Sequence, residues 1–235
     1  MLQPLPTDAQ TQSAVALLSG GLDSVVAMAD ALHNLPGCIK LALTFNYGQR
    51  AFAQELAASR AIAQHYGVVH QVIELPWLAQ QVPSLMSAQR AHGEKLQSAT
   101  AKAVWIPNRN GVFLNIAASF AEALGAQAVI FGANAEEAEA GFPDNSEMYR
   151  VRLNTALDLS TLNHVRVIAP VGHLNKPQIG ERAVALGVPL ELIWSCYDAL
   201  ETHCGQCPSC VLLQKALVSP TRQGRVNFMH HANPC

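Results

Sequence analysis

Two groups of residues in this sequence have types and spacings that do chemistry. The first is Ser19-Gly20-Gly21-Leu22-Asp23-Ser24. Two glycines let the backbone pass close to an anion, and exposed N–H groups at a helix start favour negative charge there. The stretch is neither G-x-x-x-x-G-K-[ST] nor G-x-G-x-x-G. A tight strand–helix turn capped by Ser19 or Asp23 is the plainer alternative. The second group is Cys196, Cys204, Cys207 and Cys210, spaced C-x7-C-x2-C-x2-C. A C-x2-C turn brings two thiolates near one centre, and four complete a tetrahedral shell suited to Zn²⁺. Gly205 and Pro208 supply what such tight knuckles need. The same spacing also suits an iron–sulfur cluster, and both readings stand at this level. His203 reads as a neighbour of the cluster, Cys38 as a small apolar residue and Cys235 as a tail thiol.

The elements that must position these groups follow from the apolar pattern. Ala14 to Leu18 reads as a buried strand, and Val25, Val26, Met28, Ala29 and Leu32 recur at helical spacing after the loop. Further strands are predicted over residues 39–45, 68–75, 128–131 and 165–169. Helices are predicted from the Asn46-Tyr47-Gly48-Gln49-Arg50 turn to about Tyr66, through Leu124, over about 147–159, and from Asn175, whose side chain and Gln178 form a capping box. Strands alternating with such helices predict β-α-β units and a doubly wound, mostly parallel five-stranded sheet. Ligands in such sheets sit at the carboxyl ends of the strands, where the Ser19–Ser24 loop lies. Residues 76–102 lose periodicity and read as a flap or short irregular helices, and 132–145 as a long polar connection. The domain reading is an α/β domain carrying the Ser19–Ser24 loop over 1–190 and a cysteine module with a polar tail over 191–235.

Composition narrows the classes. With 235 residues, half of them apolar and 14% charged, the chain has material for a large buried core. A net charge of −2, from 15 basic and 17 acidic residues, advertises no nucleic-acid footprint. No apolar run reaches the roughly 18 residues of a membrane span, and the first twelve residues lack signal-peptide features. A cytoplasmic protein is the expectation, and there clustered cysteines point to metal rather than disulfides.

Beyond these two groups, Thr44-Phe45-Asn46-Tyr47-Gly48-Gln49-Arg50, Pro107-Asn108-Arg109-Asn110, Gly141-Phe142-Pro143-Asp144 and Trp194-Ser195-Cys196-Tyr197 fall in order before Cys204-Gly205-Gln206-Cys207-Pro208-Ser209-Cys210. The loop alone resembles that of the ATP-pyrophosphatase (PP-loop) superfamily, which splits ATP between its α and β phosphates. Together the motifs, over about residues 14–218, resemble the 7-cyano-7-deazaguanine synthase family. Departures from that pattern are Asn46 for a usual Asp, Ala51 for His, Asn108 for Gly, Leu213 for a common Arg, and the acidic loop Glu136 to Asp144 for S-G-Y-P-D.

The resemblance implies conversion of 7-carboxy-7-deazaguanine, ammonia and ATP into a nitrile, an activity of the carbon–nitrogen ligase class in queuosine-type biosynthesis. It implies Mg²⁺ beside ATP, a Zn²⁺ in the cysteine shell and a homodimer. Ser19, Gly20, Gly21, Leu22, Asp23 and Ser24 are then assigned to pyrophosphate and its Mg²⁺. Asp23, an acceptor only when ionised, faces metal or loop amides rather than phosphate. Arg109 is assigned a bidentate grip on phosphate or substrate carboxylate, against a surface ion pair. Lys176 at a helix start is unfavourable unless an anion sits there, so a phosphate contact stands against a solvated lysine. Tyr47, Gln49 and Arg50 are assigned to the nucleotide pocket, with Gln49 as a turn cap the alternative. Asp144 is assigned the N–H edge of the base with Phe142 stacked on it, against a cap on the following helix. A tRNA-thiolating PP-loop enzyme and a non-catalytic ATP-binding zinc protein are the rival functions.

Overall fold

The computed structural model describes residues 13–80, 105–139, 141–198, 200–217 and 226–228. Its centre is a sheet of five parallel strands, β1 (Ala14–Leu17), β2 (Ile39–Asn46), β3 (His70–Glu74), β4 (Ala128–Ile130) and β5 (Arg166–Ile168), in the order β3-β2-β1-β4-β5. Val15 of β1 pairs with Leu41 on one side and Val129 on the other, so the strand before the Ser19–Ser24 loop lies where the strand order reverses. A doubly wound sheet binds its ligands at that switch point.

Both faces of the sheet are covered, which is why β1 and most of β2 read as continuous apolar runs rather than alternating ones. On one face Ala14, Ala16 and Leu18 pack against α1 (Leu22–Asn34), α2 (Phe52–His65), α7 (Lys176–Ala185) and α8 (Pro208–Ala216). On the other, Val15, Leu17 and Leu43 pack against α4 (Arg109–Ala123) and α6 (Glu147–Ser160). Fully burying side chains such as Leu18, Met28 and Leu43 stabilises the fold by about 1.5–3 kcal/mol each. The cysteine-bearing helix α8 shares the first core. A Cβ at Gly180 of α7 would fall 1.9 Å from the Ala216 carbonyl oxygen, so only glycine lets the two backbones touch. Val226, in the segment read as a polar tail, is also buried in this core.

The expected doubly wound sheet is present, and the differences lie in its connections. The stretch 132–145 contains α5 (Ala135–Glu139) and a 3₁₀ turn (Pro143–Asn145). Five residues are too few to display a helical period, although acids in the first turn suit a helix start. Residue 76 opens a short helix, α3 (Pro76–Gln80), and the remainder of the aperiodic stretch lies outside the described residues, as do residues 1–12. The capping box at α7 forms as read, with Gln178 N–H donating to Asn175 Oδ1 and Asn175 N–H to Gln178 Oε1, both at 3.0 Å.

Candidate active site and metal centre

The loop after β1 is held in shape by its own hydroxyls. Ser24 Oγ accepts from the Ser19 N–H at 3.2 Å and donates to the Gly21 carbonyl at 3.0 Å. Gly21 stands at the N-cap of α1 and no side chain caps the helix, so neither Ser19 nor Asp23 closes its first turn. Gly20, at φ +77°, packs so tightly that a Cβ would lie 2.7 Å from that of Ala58. Its carbonyl accepts from the Trp194 N–H at 2.9 Å, which braces the loop against the cysteine segment. A second close approach comes from Gly132 after β4, where a Cβ would meet the Ser24 backbone at 2.6 Å.

Above the loop is a cavity of about 250 Å³. All of the loop except Gly20 lines it, joined by Tyr47, Gln49, Arg109 and Lys176. Asp23 is the hub of its polar floor. Its Oδ2 accepts from Lys176 Nζ at 2.5 Å and from Asn134 Nδ2 at 2.9 Å, while Oδ1 is buried with no partner among the described residues. Lys176 thus begins α7 with anions around it, since its N–H donates to Glu136 Oε1 at 3.1 Å. Burial works against its charge, but Asp23 and Glu137 outweigh that and hold the ammonium above the ordinary lysine value. An orphaned carboxylate oxygen at an uncapped helix start fits a divalent cation with oxygen ligands.

Arg109 is not in an ion pair among the described residues. Its guanidinium reaches the Tyr47 hydroxyl at 3.4 Å and lies 5.7 Å from the Tyr47 ring centre and 6.0 Å from that of Phe113. Burial disfavours its charge, yet Tyr47 and Glu137 hold its pKa up. Gln49 is committed to the turn. It donates to the Phe45 carbonyl and to Glu55 Oε2, both at 2.9 Å, and accepts from the Tyr47 N–H at 3.0 Å. Arg50 lies outside the cavity lining and pairs with Asp198 at 3.2 Å, which ties the start of α2 to the cysteine segment.

A second cavity of about 60 Å³ adjoins the first. Trp105 and Phe142 form its aromatic wall, with ring centres 5.7 Å apart and planes 28° from parallel. Asp144 is buried at its edge. Oδ2 accepts from the Asn110 N–H at 3.0 Å, capping the start of α4, and Oδ1 is left without a partner among the described residues. Burial pushes the Asp144 carboxyl up, and the Asn110 N–H partly offsets it. Asp144 does not cap the following helix α6. Ser146 does that, accepting from the Tyr149 N–H at 3.1 Å. Arg109, Asn110, Glu137, Asn145 and Tyr197 line both cavities and form the wall between them.

The four cysteines converge. The sulfur atoms of Cys196, Cys204, Cys207 and Cys210 all lie within 4.8 Å of one another, and those of Cys204 and Cys210 are 3.8 Å apart. A tetrahedron with metal–sulfur bonds of about 2.3 Å has edges of about 3.8 Å, so a single ion fits the shell. A multi-iron cluster would spread its thiolates over separate irons. Backbone N–H groups of Asp198 and Cys204 point at Cys196 Sγ at 3.4 Å, and that of Cys207 at Cys204 Sγ at 3.3 Å, as thiolates require. His203 is outside the shell. Burial lowers its pKa, and its neutral Nε2 accepts from the Ser195 N–H at 3.2 Å.

A family model and curated relatives point the same way. The family model for queuosine biosynthesis protein QueC matches residues 13–220. A 7-cyano-7-deazaguanine synthase of Bdellovibrio bacteriovorus is 48% identical over 221 residues, covering 89% of this chain and 94% of that protein. Proteins of the same name from Carboxydothermus hydrogenoformans and Methanosarcina barkeri are 45% and 44% identical, covering 87% and 86% of this chain and 98% and 92% of theirs. The chain belongs to the QueC family.

Within the QueC pattern the departures have physical explanations. Asn108 sits at φ +54°, in the left-handed region where glycine is the default and asparagine the best-tolerated substitute. Asn46 keeps the acceptor that an Asp would supply, taking the Gly48 N–H at 3.2 Å, and adds a donor to Glu74 at 2.7 Å. Ala51 and Leu213 are buried apolar positions, where the family's His and Arg would need partners. Sequence reading assigned no role to several residues of the site, among them Asn110, Gly132, Asn134, Glu137, Asn145, Ser195 and Tyr197. Their signals were a glycine and an asparagine just past the fourth apolar run, the acidic stretch after them, and the Trp194–Tyr197 motif, none of which names a role.

Proposed function

We propose that this QueC-family protein converts 7-carboxy-7-deazaguanine, ammonia and ATP into 7-cyano-7-deazaguanine, as an ATP-dependent carbon–nitrogen ligase. The observation that carries the reading is the shared wall. A phosphate-type loop opens into one cavity, an aromatic and carboxylate pocket into the other, and Arg109 stands between them.

A carboxylate is a poor electrophile because its leaving group would be oxide. Adenylation turns that oxygen into part of AMP and releases pyrophosphate. Ammonia then gives the amide, and a second adenylation on the amide oxygen lets AMP leave with formation of the nitrile. The protein's task is positioning and charge stabilisation. Ser19, Gly21, Leu22 and Ser24 line the pyrophosphate position, with Gly20 setting the loop's path. Tyr47 and Gln49 shape the nucleotide pocket, and Arg50 fixes that turn from outside. Arg109 grips the substrate carboxylate or the α-phosphate, and Lys176 faces phosphate while fixing Asp23. Asp23 Oδ1 is the oxygen that would hold Mg²⁺, which supplies neutralisation of phosphate charge. Asp144 Oδ1 accepts from the N–H edge of the base, with Phe142 and Trp105 against its rings. The four cysteines would hold one structural Zn²⁺.

No cysteine lines either cavity among the described residues, which favours nitrile formation over sulfur transfer to tRNA. We read the enzyme as cytoplasmic and homodimeric. No described helix is long and apolar enough to cross a membrane, and Met148, Val151 and Leu159 of α6 leave an exposed apolar stripe for a second copy. Incubation with ATP, ammonium and 7-carboxy-7-deazaguanine, followed by mass spectrometry of the base, tests the reading. The nitrile is expected, with pyrophosphate and AMP. An unchanged base together with iron and labile sulfide in the protein would transfer it to the thiolating class.

A further inference from the structure

Resting on that reading, we infer that Glu137 is the catalytic base of both nitrogen steps, receiving ammonium at the wall between the two cavities and taking its proton. Glu137 projects from α5, on the carboxyl side of β4, and lines both cavities, as the reacting carbon must also do. Its Oε2 accepts from Asn145 Nδ2 at 3.0 Å, and no lysine or arginine pairs with it among the described residues. A half-buried carboxylate that faces a cavity without an ion partner among the described residues suits a small cation with N–H donors.

The groups facing it come from three other elements and one loop. Asp23 lies on α1, Arg109 on α4, Lys176 on α7, and Tyr197 in the cysteine segment. Burial pushes the Glu137 carboxyl up and Asp23 adds to this, while Lys176 and Arg109 oppose it. A carboxyl raised toward neutrality is a competent proton acceptor at working pH.

The chemistry balances without an oxidant or reductant. Ammonium gives one proton to Glu137 and becomes ammonia. The ammonia lone pair forms the C–N bond, AMP leaves with the C–O electron pair, and the nitrogen releases a second proton to solvent to give the amide. Glu137 returns its proton to solvent before the second activation. After the amide oxygen is adenylated, with pyrophosphate leaving and one N–H proton passing to solvent, the C–O bond breaks again. AMP leaves, the last N–H proton goes to Glu137, and the nitrile remains.

The test compares wild type with Glu137→Gln on isolated steps. Exchange of labelled pyrophosphate into ATP, with 7-carboxy-7-deazaguanine and no amine, reports adenylation and should stay within a few-fold of wild type. Amide formation from ammonium should fall by 10²–10⁴, the usual worth of a general base. With hydroxylamine, which is mostly unprotonated near neutrality, the loss should be far smaller. Glu137→Asp, which keeps the acid one methylene back, should fall between, and covers the case in which the glutamine variant fails to fold. Equal losses in exchange and amide formation would assign Glu137 to adenylation, and equal losses with both amines would make it structural. Either result overturns the inference. Failure of the wild type to exchange pyrophosphate would overturn the proposed function instead.

Discussion

The cysteine shell and the wall between the cavities are built in opposite ways. The shell takes four cysteines from fifteen consecutive residues, points them at one centre, and aims backbone N–H groups at Cys196, Cys204 and Cys207. The wall takes Arg109 and Asn110 from α4, Glu137 from α5, Asn145 from a 3₁₀ turn and Tyr197 from the cysteine segment. Around it two carboxylate oxygens, Asp23 Oδ1 and Asp144 Oδ1, are buried and unpartnered among the described residues. A closed, satisfied shell is what stability needs. Orphaned acceptors facing a cavity are tolerated where a ligand will complete them. The two regions are joined, because Trp194 donates to Gly20 and Asp198 pairs with Arg50.

The largest effect should come from breaking the shell. Structural zinc contributes ~10–16 kcal/mol of apparent binding free energy to folding. Cys207→Ala should therefore yield insoluble or molten protein, read by loss of a cooperative melt. A soluble variant with normal turnover would show that the shell is dispensable and erase the contrast. Next comes Asp23→Asn, which should abolish pyrophosphate release. It also strands Lys176, although Glu137 remains nearby. The stability loss should be less than the ~3–5 kcal/mol typical of breaking a buried pair, and denaturant melts measure it.

Asp144→Asn should act on one ligand only. The asparagine oxygen still takes the Asn110 N–H, but an amide then meets the donors of the base. Base affinity should fall ten- to a hundredfold or more, as ~1.5–3 kcal/mol per hydrogen bond to a charged group implies, with ATP affinity kept. Calorimetry with each ligand decides it. Because the folded Asp144 carboxyl is raised, its contribution is present below the ordinary carboxylate value and lost as pH rises through the raised one. The unliganded variant should therefore lose less stability than wild type on going from acid to neutral pH. The smallest effect concerns Asn108. Replacement by Ala at a left-handed position should cost ~1 kcal/mol, and by Gly should change stability by no more than about 0.5 kcal/mol.

How much was legible in the sequence divides along the same line. The shell is local, so its spacing singled out the four cysteines that converge. The sheet was legible because β1, β2 and β4 are apolar runs and the longer helices carry their own period or cap, as Asn175 and Gln178 do. Asp23, Arg109 and Lys176 were legible as charges at the ends of elements, where the carboxyl edge of a parallel sheet must lie. Glu137 and Asn134 were not, because a five-residue helix shows no period and their partners lie far along the chain, as when Asn134 reaches Asp23. The role of Asp144 was half legible. Its position after β4 pointed to the ligand side, but its cap on α4 is a contact across 34 residues that no local pattern records.

The most direct measurement follows the substrate oxygens. With both oxygens of the 7-carboxy-7-deazaguanine carboxylate labelled by ¹⁸O, mass spectrometry of the nucleotide products reports how each one leaves. Two AMP per nitrile, each carrying one ¹⁸O, is the result expected if the carbon between Arg109 and Glu137 is activated twice at one site. Label appearing in phosphate with ADP as product, or one labelled AMP per nitrile, would contradict it.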